Sequence, residues 1–427
     1  MNLNIILLLL MMAISQSLFS QDSLRQKAIS ETFISFISKQ DSIASLEDLK
    51  SNLDNILKDN RISKSKFGIS IYSLDRNEFI YQINQDKPLI PASLTKLFTS
   101  FNSLTNYGTE FKLNTNLYVD SINPQSKEIY GNLYLKGAGD PAFSFNDLDT
   151  LFVYLKNNNI SVLNGNLIID LSLFDKVTSR FKYSGDKDKV ENVNAITPFV
   201  ISTRAGTKLK NYIKKFFRKK KIRFNGSIKF SFNDIDYLKL NHIGTKSRSI
   251  IDIIYTTNKR SNNYFAEHLF KLNSLINKDE QSDFRNSQKR MYEIIDSLNI
   301  NFDNCELNDG SGLSRRNKLT PNSIISLLKI AFHSEFKDEF RASLSHAGED
   351  GTLRGRLIGT HGEKNINGKT GTLRNASGLS GYLKTVDGEN IAFVIMFNGN
   401  KRKTYKYIEN ELADAISGFF YFNEKYE

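Results

Sequence analysis

The stretch "IPASLTKLF", residues 90–98, holds a serine and a lysine three positions apart, Ser93 and Lys96. Positions i and i+3 share one face of a helix, so the hydroxyl and the amine can meet. A neutral amine there can take the hydroxyl proton and make a nucleophile without histidine. S-x-x-K occurs six times in the sequence, so the spacing alone also fits a helix start followed by a solvated lysine. Lys369-Thr370-Gly371 is the single K-[ST]-G of the chain, on an expected strand after a loop. Its lysine can attract a carboxylate, its threonine can donate a hydrogen bond, and its glycine lets a substrate backbone come close. Ser261-x-Asn263 lies between two helical stretches, where the serine can relay a proton and the asparagine can donate and accept. S-x-N also recurs six times, so it too carries little by itself.

Other chemistries have less support. No G-x-S-x-G nucleophile elbow occurs. The five histidines, His242, His268, His333, His346 and His361, include no H-E-x-x-H. Neither a metal nor another cofactor is expected. Cys305 is the single cysteine, which excludes an internal disulfide and a thiolate cluster. Ser311 in "DGSGLS" is flanked by glycines and reads as part of a tight turn, with Asp309 and Arg315 structural.

The elements that must position these groups can be read from periodicity. "KFGISIYSLDRNEFIYQINQD" alternates about a turn and predicts a hairpin, Phe67 to Leu74 and Glu78 to Ile83. A helix is expected to start at Ser93. From about Lys112 to Asn241 short alternating segments dominate, interrupted by helical stretches, and read as an inserted domain. Helical texture is expected again from Ile243, with Thr320 and Pro321 opening a later helix. "KNINGKTGTLRNASGLSGYLKTVDGENIAFVIMFNG" reads as three strands turning at Asp387-Gly388, and a last helix follows from about Tyr405 to Phe420. The front hairpin and the three back strands can then share one sheet.

With 427 residues, 40% of them hydrophobic, the chain can fold into two or three domains. The net charge is +12. Its densest block, "KKFFRKKKIRF", Lys214 to Phe224, reads first as the solvated end of an amphipathic helix and leaves a peripheral membrane contact open. Nucleic acid is not an expected partner. The apolar run Leu3 to Ile14 is too short to span a bilayer and suits a signal peptide cut near Ser20, so export is expected and no transmembrane span.

Taken in order, S-x-x-K, S-x-N and K-T-G resemble the motif set of the penicillin-recognising serine enzymes. Between Lys96 and Ser261 lie 164 residues, 97 to 260, which is room for an inserted domain. "PASLTKL", "GAGDPAF", "RSIIDIIYTTNKRSNNYFAEHL", "NDGSGLSRRNKLTP", "AGEDGTLRGRL" and "NGKTGTLRNASGLSGY" are similar to the D-alanyl-D-alanine carboxypeptidase/endopeptidase family of low-molecular-mass penicillin-binding proteins with such an insertion. The resemblance runs from about Ile69 to the end. It implies an α+β DD-peptidase-like fold, an antiparallel sheet flanked by helices, with a β-rich insert. The expected map is a signal peptide over 1–20, a transpeptidase-like domain over 21–105 and 243–427, and the insert over 106–242. The implied substrates are D-Ala-D-Ala stem peptides of peptidoglycan, with β-lactams as covalent inhibitors. The implied roles are Ser93 as nucleophile, Lys96 as base and Ser261 as proton relay, with Asn263, Lys369, Thr370, Gly371 and Thr372 binding substrate. A β-lactamase or esterase on the same scaffold, or a catalytically slow wall-binding protein, stays open. Two departures stand out: the insert is short for this family, and Asn262 takes a position where the family often has Asp.

Overall fold

A computed structural model describes residues 46–186, 193–202, 206–275 and 282–420 of the chain. The expected signal peptide lies outside the described residues. In chain order the strands are β1 (Lys66–Ser73), β2 (Glu78–Ile83), β3 (Lys112–Ile122), β4 (Glu128–Lys136), β5 (Val162–Asn164), β6 (Leu167–Asp170), β7 (Arg223–Phe224), β8 (Ile228–Ser231), β9 (Asn241–Ser249), β10 (Ser345–His346), β11 (Asn367–Leu373), β12 (Ala376–Lys384) and β13 (Asn390–Asn398). The helices are α1 (Leu46–Leu57), α2 (Thr95–Tyr107), α3 (Phe145–Asn157), α4 (Arg180–Ser184), α5 (Gly206–Lys219), α6 (Ile250–Lys259), α7 (Asn263–Leu272), α8 (Phe284–Ser297), α9 (Pro321–His333), α10 (Lys337–Ser343) and α11 (Arg402–Ser417).

β13, "NIAFVIMFN", is apolar at nearly every position and therefore suits a strand buried on both faces. It is the centre of a six-stranded antiparallel sheet, ordered β10-β11-β12-β13-β1-β2. The front hairpin thus joins the three back strands, with Lys66 opposite Asn398. Because successive side chains point to opposite faces, β13 feeds two cores. Ile391, Phe393, Ile395 and Phe397 pack with Leu53 of α1 and Ile408 and Leu412 of α11. Ala392, Val394 and Met396 pack with Leu97 and Phe98 of α2, Ile253 of α6, Leu269 of α7 and Ile324 of α9. Ten consecutive residues of α2, Thr95 to Leu104, are buried, as befits a helix enclosed by α6, α7, α8 and α9.

Residues between the first two motifs build a second, mixed sheet. β3 pairs antiparallel with β4 and β9, while β5 and β6 run parallel to β4, and β7 and β8 parallel to β5 and β6. Parallel neighbours need crossovers, and α3 and α5 supply them. Leu117, Leu133, Leu135, Phe152 and Phe217 form a separate apolar cluster there.

Two local expectations change. The helix does not start at Ser93: a 3-10 turn, Ala92–Leu94, carries the serine, and α2 begins at Thr95. Ala92 holds a left-handed backbone, φ 51°, which re-aims the chain just before the serine. Residues 243–249 are not helical either. They continue β9, whose "NHIGTKSRS" lacks the apolar alternation that marks a strand, and α6 starts at Ile250 under a Ser249 cap.

Candidate active site

α2 is buried along its first turns, and this carries Lys96 out of water completely, with no exposed surface. Its Nζ lies 2.8 Å from Ser93 Oγ, 2.7 Å from Asn263 Oδ1 and 2.5 Å from the Ser311 carbonyl oxygen. Burial disfavours the charged amine and lowers its pKa to about 7, against the opposing pull of Asp309 and Glu267. A neutral amine has two hydrogens and one lone pair. The Asn263 and Ser311 oxygens accept and cannot donate. They engage the two hydrogens and leave the lone pair to the Ser93 hydroxyl.

Lys369 on β11 is likewise fully buried. Its Nζ donates to Ser261 Oγ at 2.8 Å and to the Thr370 carbonyl at 2.9 Å. Desolvation, then the positive charge of Lys96, hold its pKa well below the usual lysine value. Thr370 Oγ1 donates to Thr352 Oγ1 at 2.8 Å, and Thr352 sits in a 3-10 turn, Gly351–Leu353. Gly371 lets β11 press against the Ser93 turn: a Cβ there would lie 2.6 Å from the Pro91 carbonyl oxygen. Thr372 follows on the same strand, half-buried. Ser261 holds a left-handed backbone, φ 50°, between α6 and α7. Asn262, the middle residue of that motif, caps α7 by accepting from Tyr264 and Phe265 N–H. Asparagine and aspartate both serve an N-cap, so its identity leaves Asn263 aimed at Lys96.

The loop Asp309 to Ser314 is the part that sequence reasoning left structural. The Ser311 residue meets Lys96 through its backbone carbonyl, which accepts from the amine. Glu267, one turn beyond Asn263 on α7, accepts from Ser311 N–H at 2.9 Å, from Gly310 N–H at 3.4 Å and from Tyr183 O–H at 2.7 Å. Burial, then the charge of Asp309, raise its pKa. Asp309 accepts from Gly312 and Ser314 N–H and from the Asn317 amide. A Cβ at Gly312 would lie 1.8 Å from the Ala92 carbonyl oxygen, so only glycine lets this loop close on the Ser93 turn.

Arg180, from the region between the first two motifs, reaches into this network. Its Nη1 is 3.0 Å from Asp309 Oδ2 and 2.7 Å from Asp186 Oδ2, with the guanidinium almost wholly buried. Asp186 also accepts from Ser314 Oγ. Lys271 of α7 pairs with Asp175 in the same way. Through Arg180 this region is tied to the loop that sets the Lys96 contacts. The available signal was Glu267, four residues after Asn263 on one helix face; nothing in the sequence marked Arg180.

The chain matches the model of the D-Ala-D-Ala carboxypeptidase 3 (S13) family over residues 49–190 and 190–417. It is 25% identical to the D-alanyl-D-alanine carboxypeptidase DacB of Haemophilus influenzae, across 78% of this chain and 86% of that protein. It is 24% identical to the D-alanyl-D-alanine carboxypeptidase of an Actinomadura species, across 88% and 86%. Its fold is similar to the crystal structure of penicillin binding protein 4 from Haemophilus influenzae, with a TM-score of 0.70 at 21% identity, over 87% of this chain and 98% of that one.

Arg180→Leu should expose the cost of this tie. It leaves Asp309 buried beside Glu267 without its guanidinium, a loss of about 3–5 kcal/mol by the behaviour of broken buried pairs. Urea unfolding should show that destabilisation. A change below about 1 kcal/mol would mean that the pair does not hold the loop.

Proposed function

The chain belongs to the D-Ala-D-Ala carboxypeptidase 3 (S13) family, and from this premise we propose how its own residues carry out a serine-type D-Ala-D-Ala carboxypeptidase reaction. The observation that carries the reading is the Lys96 amine, buried within 2.8 Å of three oxygens, one of them Ser93 Oγ. Ser93 O–H gives its proton to the Lys96 lone pair as Oγ attacks the penultimate D-Ala carbonyl. The developing oxyanion is held by the backbone N–H groups of Ser93 and Thr372, a contribution of about 3–4 kcal/mol per donor in comparable sites. Ser261 relays a proton to the leaving amine, terminal D-Ala departs, and water hydrolyses the Ser93 ester. Asn263 aligns Lys96 and the substrate amide. A β-lactam ring opened by the same attack stays bound to Ser93.

Lys369, with Thr370, Gly371 and Thr372, takes the terminal carboxylate. Among the described residues its amine donates to a hydroxyl and a carbonyl and to no carboxylate, so an arriving carboxylate supplies the missing countercharge and favours the ammonium form. A β-lactamase reading is less well supported. Glu267 is committed to Gly310, Ser311 and Tyr183, and Asp309 to Gly312, Ser314, Asn317 and Arg180, so both buried carboxylates beside the site are already engaged. On the same reading the second sheet is an inserted unit over residues 106–242, with its last strand running on to Ser249. Peptidoglycan stem peptides place the reaction outside the cytoplasm. No helix among the described residues is long and apolar enough to cross a membrane.

Ser93→Ala should abolish covalent labelling by a fluorescent penicillin while leaving the thermal transition in place; label retained at another serine would refute the assignment. Lys369→Gln should separate substrates. A charge-assisted hydrogen bond worth about 1.5–3 kcal/mol corresponds to roughly 10- to 100-fold in kcat/KM. A D-Ala-D-Ala peptide with a free C-terminus should lose that factor and its C-terminal amide much less. Equal losses would show that Lys369 does not read the carboxylate.

A further inference from the structure

The basic segment singled out in the sequence lies far along the chain from the catalytic motifs and has no part in the chemistry above. Residues 206–224 hold nine lysines and arginines and no acid, against a net charge of +12 for the whole chain. α5 turns its apolar side inward, burying Leu209, Ile213, Phe216 and Phe217 in the core of the second sheet. Lys208, Lys214, Lys215, Arg218, Lys219, Lys220, Lys221 and Arg223 stand exposed. None of them forms an ion pair among the described residues. Beside them, between α5 and α3, opens a cleft of about 460 Å³ whose lining sets Val153, Tyr154 and Phe216 beside Asp149, Thr150, Asn157, Lys219 and Lys220. Asp149 is the one acid in that lining.

We propose that this cleft and its lysine rim form a second binding site, for a carboxylate-bearing glycan-peptide strand, which holds the polymer while its stem peptides enter the Ser93 site. The identity of the polymer rests on the proposed function. Two features favour such a strand over a lipid surface. The apolar face of α5 is already buried, so the helix has nothing left to insert into a bilayer. A concave site that sets the apolar and aromatic surface of Val153, Tyr154 and Phe216 beside a hydroxyl and an amide suits a sugar-peptide unit, while the lysines and arginines on its rim suit that unit's carboxylates.

The test uses full-length Ser93→Ala protein, which cannot digest the polymer, pelleted with purified sacculi and, separately, with phosphatidylglycerol/phosphatidylcholine vesicles. Sacculus binding should weaken as salt shortens the Debye length toward about 3 Å near 1 M. Replacing Lys214, Lys215, Lys219 and Lys220 by Gln should weaken it by roughly 10- to 100-fold. Thr150→Trp, which fills the cleft at an exposed position without changing charge, should also weaken it. In the protein that retains Ser93, both sets of substitutions should leave turnover of a small D-Ala-D-Ala peptide unchanged. Absent turnover before any substitution would refute the function itself, whatever the pelleting shows. Unchanged sacculus binding in both variants overturns the site. A loss confined to the lysine variant, or a preference for vesicles, overturns it in favour of simple adsorption to anions.

Discussion

A lysine amine withdrawn from water, with no carboxylate among the described residues hydrogen-bonded to it, is the constraint on which the rest of this structure depends. Paired with an acid, Lys96 would stay charged and useless as a base; in water it would stay near 10.4. Its neighbours are instead a hydroxyl and two accepting oxygens. The acids Glu267 and Asp309 stand one layer back and spend their charge on backbone N–H groups and on Arg180. They moderate the depression of the lysine pKa without reversing it.

Holding that arrangement demands close approach of three segments, and the sequence shows the means. Gly371 brings β11 onto the Ser93 turn, and Gly312 brings the Asp309 loop onto the same turn from another side. Two non-glycine residues accept left-handed backbones within the motifs, Ala92 before Ser93 and Ser261 itself. Such conformations cost on the order of 1–3 kcal/mol each and persist only where surrounding packing imposes them. The packing here is the enclosed α2 and the doubly buried β13.

Much of this was legible in the sequence. β13 announces itself by an unbroken apolar run, the hairpin by its alternation, and Ser93, Lys96, Ser261, Asn263 and Lys369 by motifs that gain meaning only as an ordered set. What escaped has a common cause. β9 is polar on both faces, so periodicity has nothing to report. Arg180 meets Asp309 across 129 residues of chain, and a buried ion pair leaves no local pattern at either end. Ser311 acts through its carbonyl, which every residue possesses. The i, i+3 spacing of Ser93 and Lys96 suits a helix, yet a 3-10 turn running into α2 satisfies the same spacing.

The account stands or falls on the charge state of Lys96. The direct measurement is the pre-steady-state acylation rate from about pH 5 to 10, with an acyl ester that lacks a carboxylate so that Lys369 has nothing to read. Protonation removes the lone pair, so the rate should fall about tenfold per unit below an apparent pKa of about 7 and level off above it. A rate that climbs until about pH 10, as an ordinary lysine would require, or one indifferent to pH, would contradict the neutral buried base.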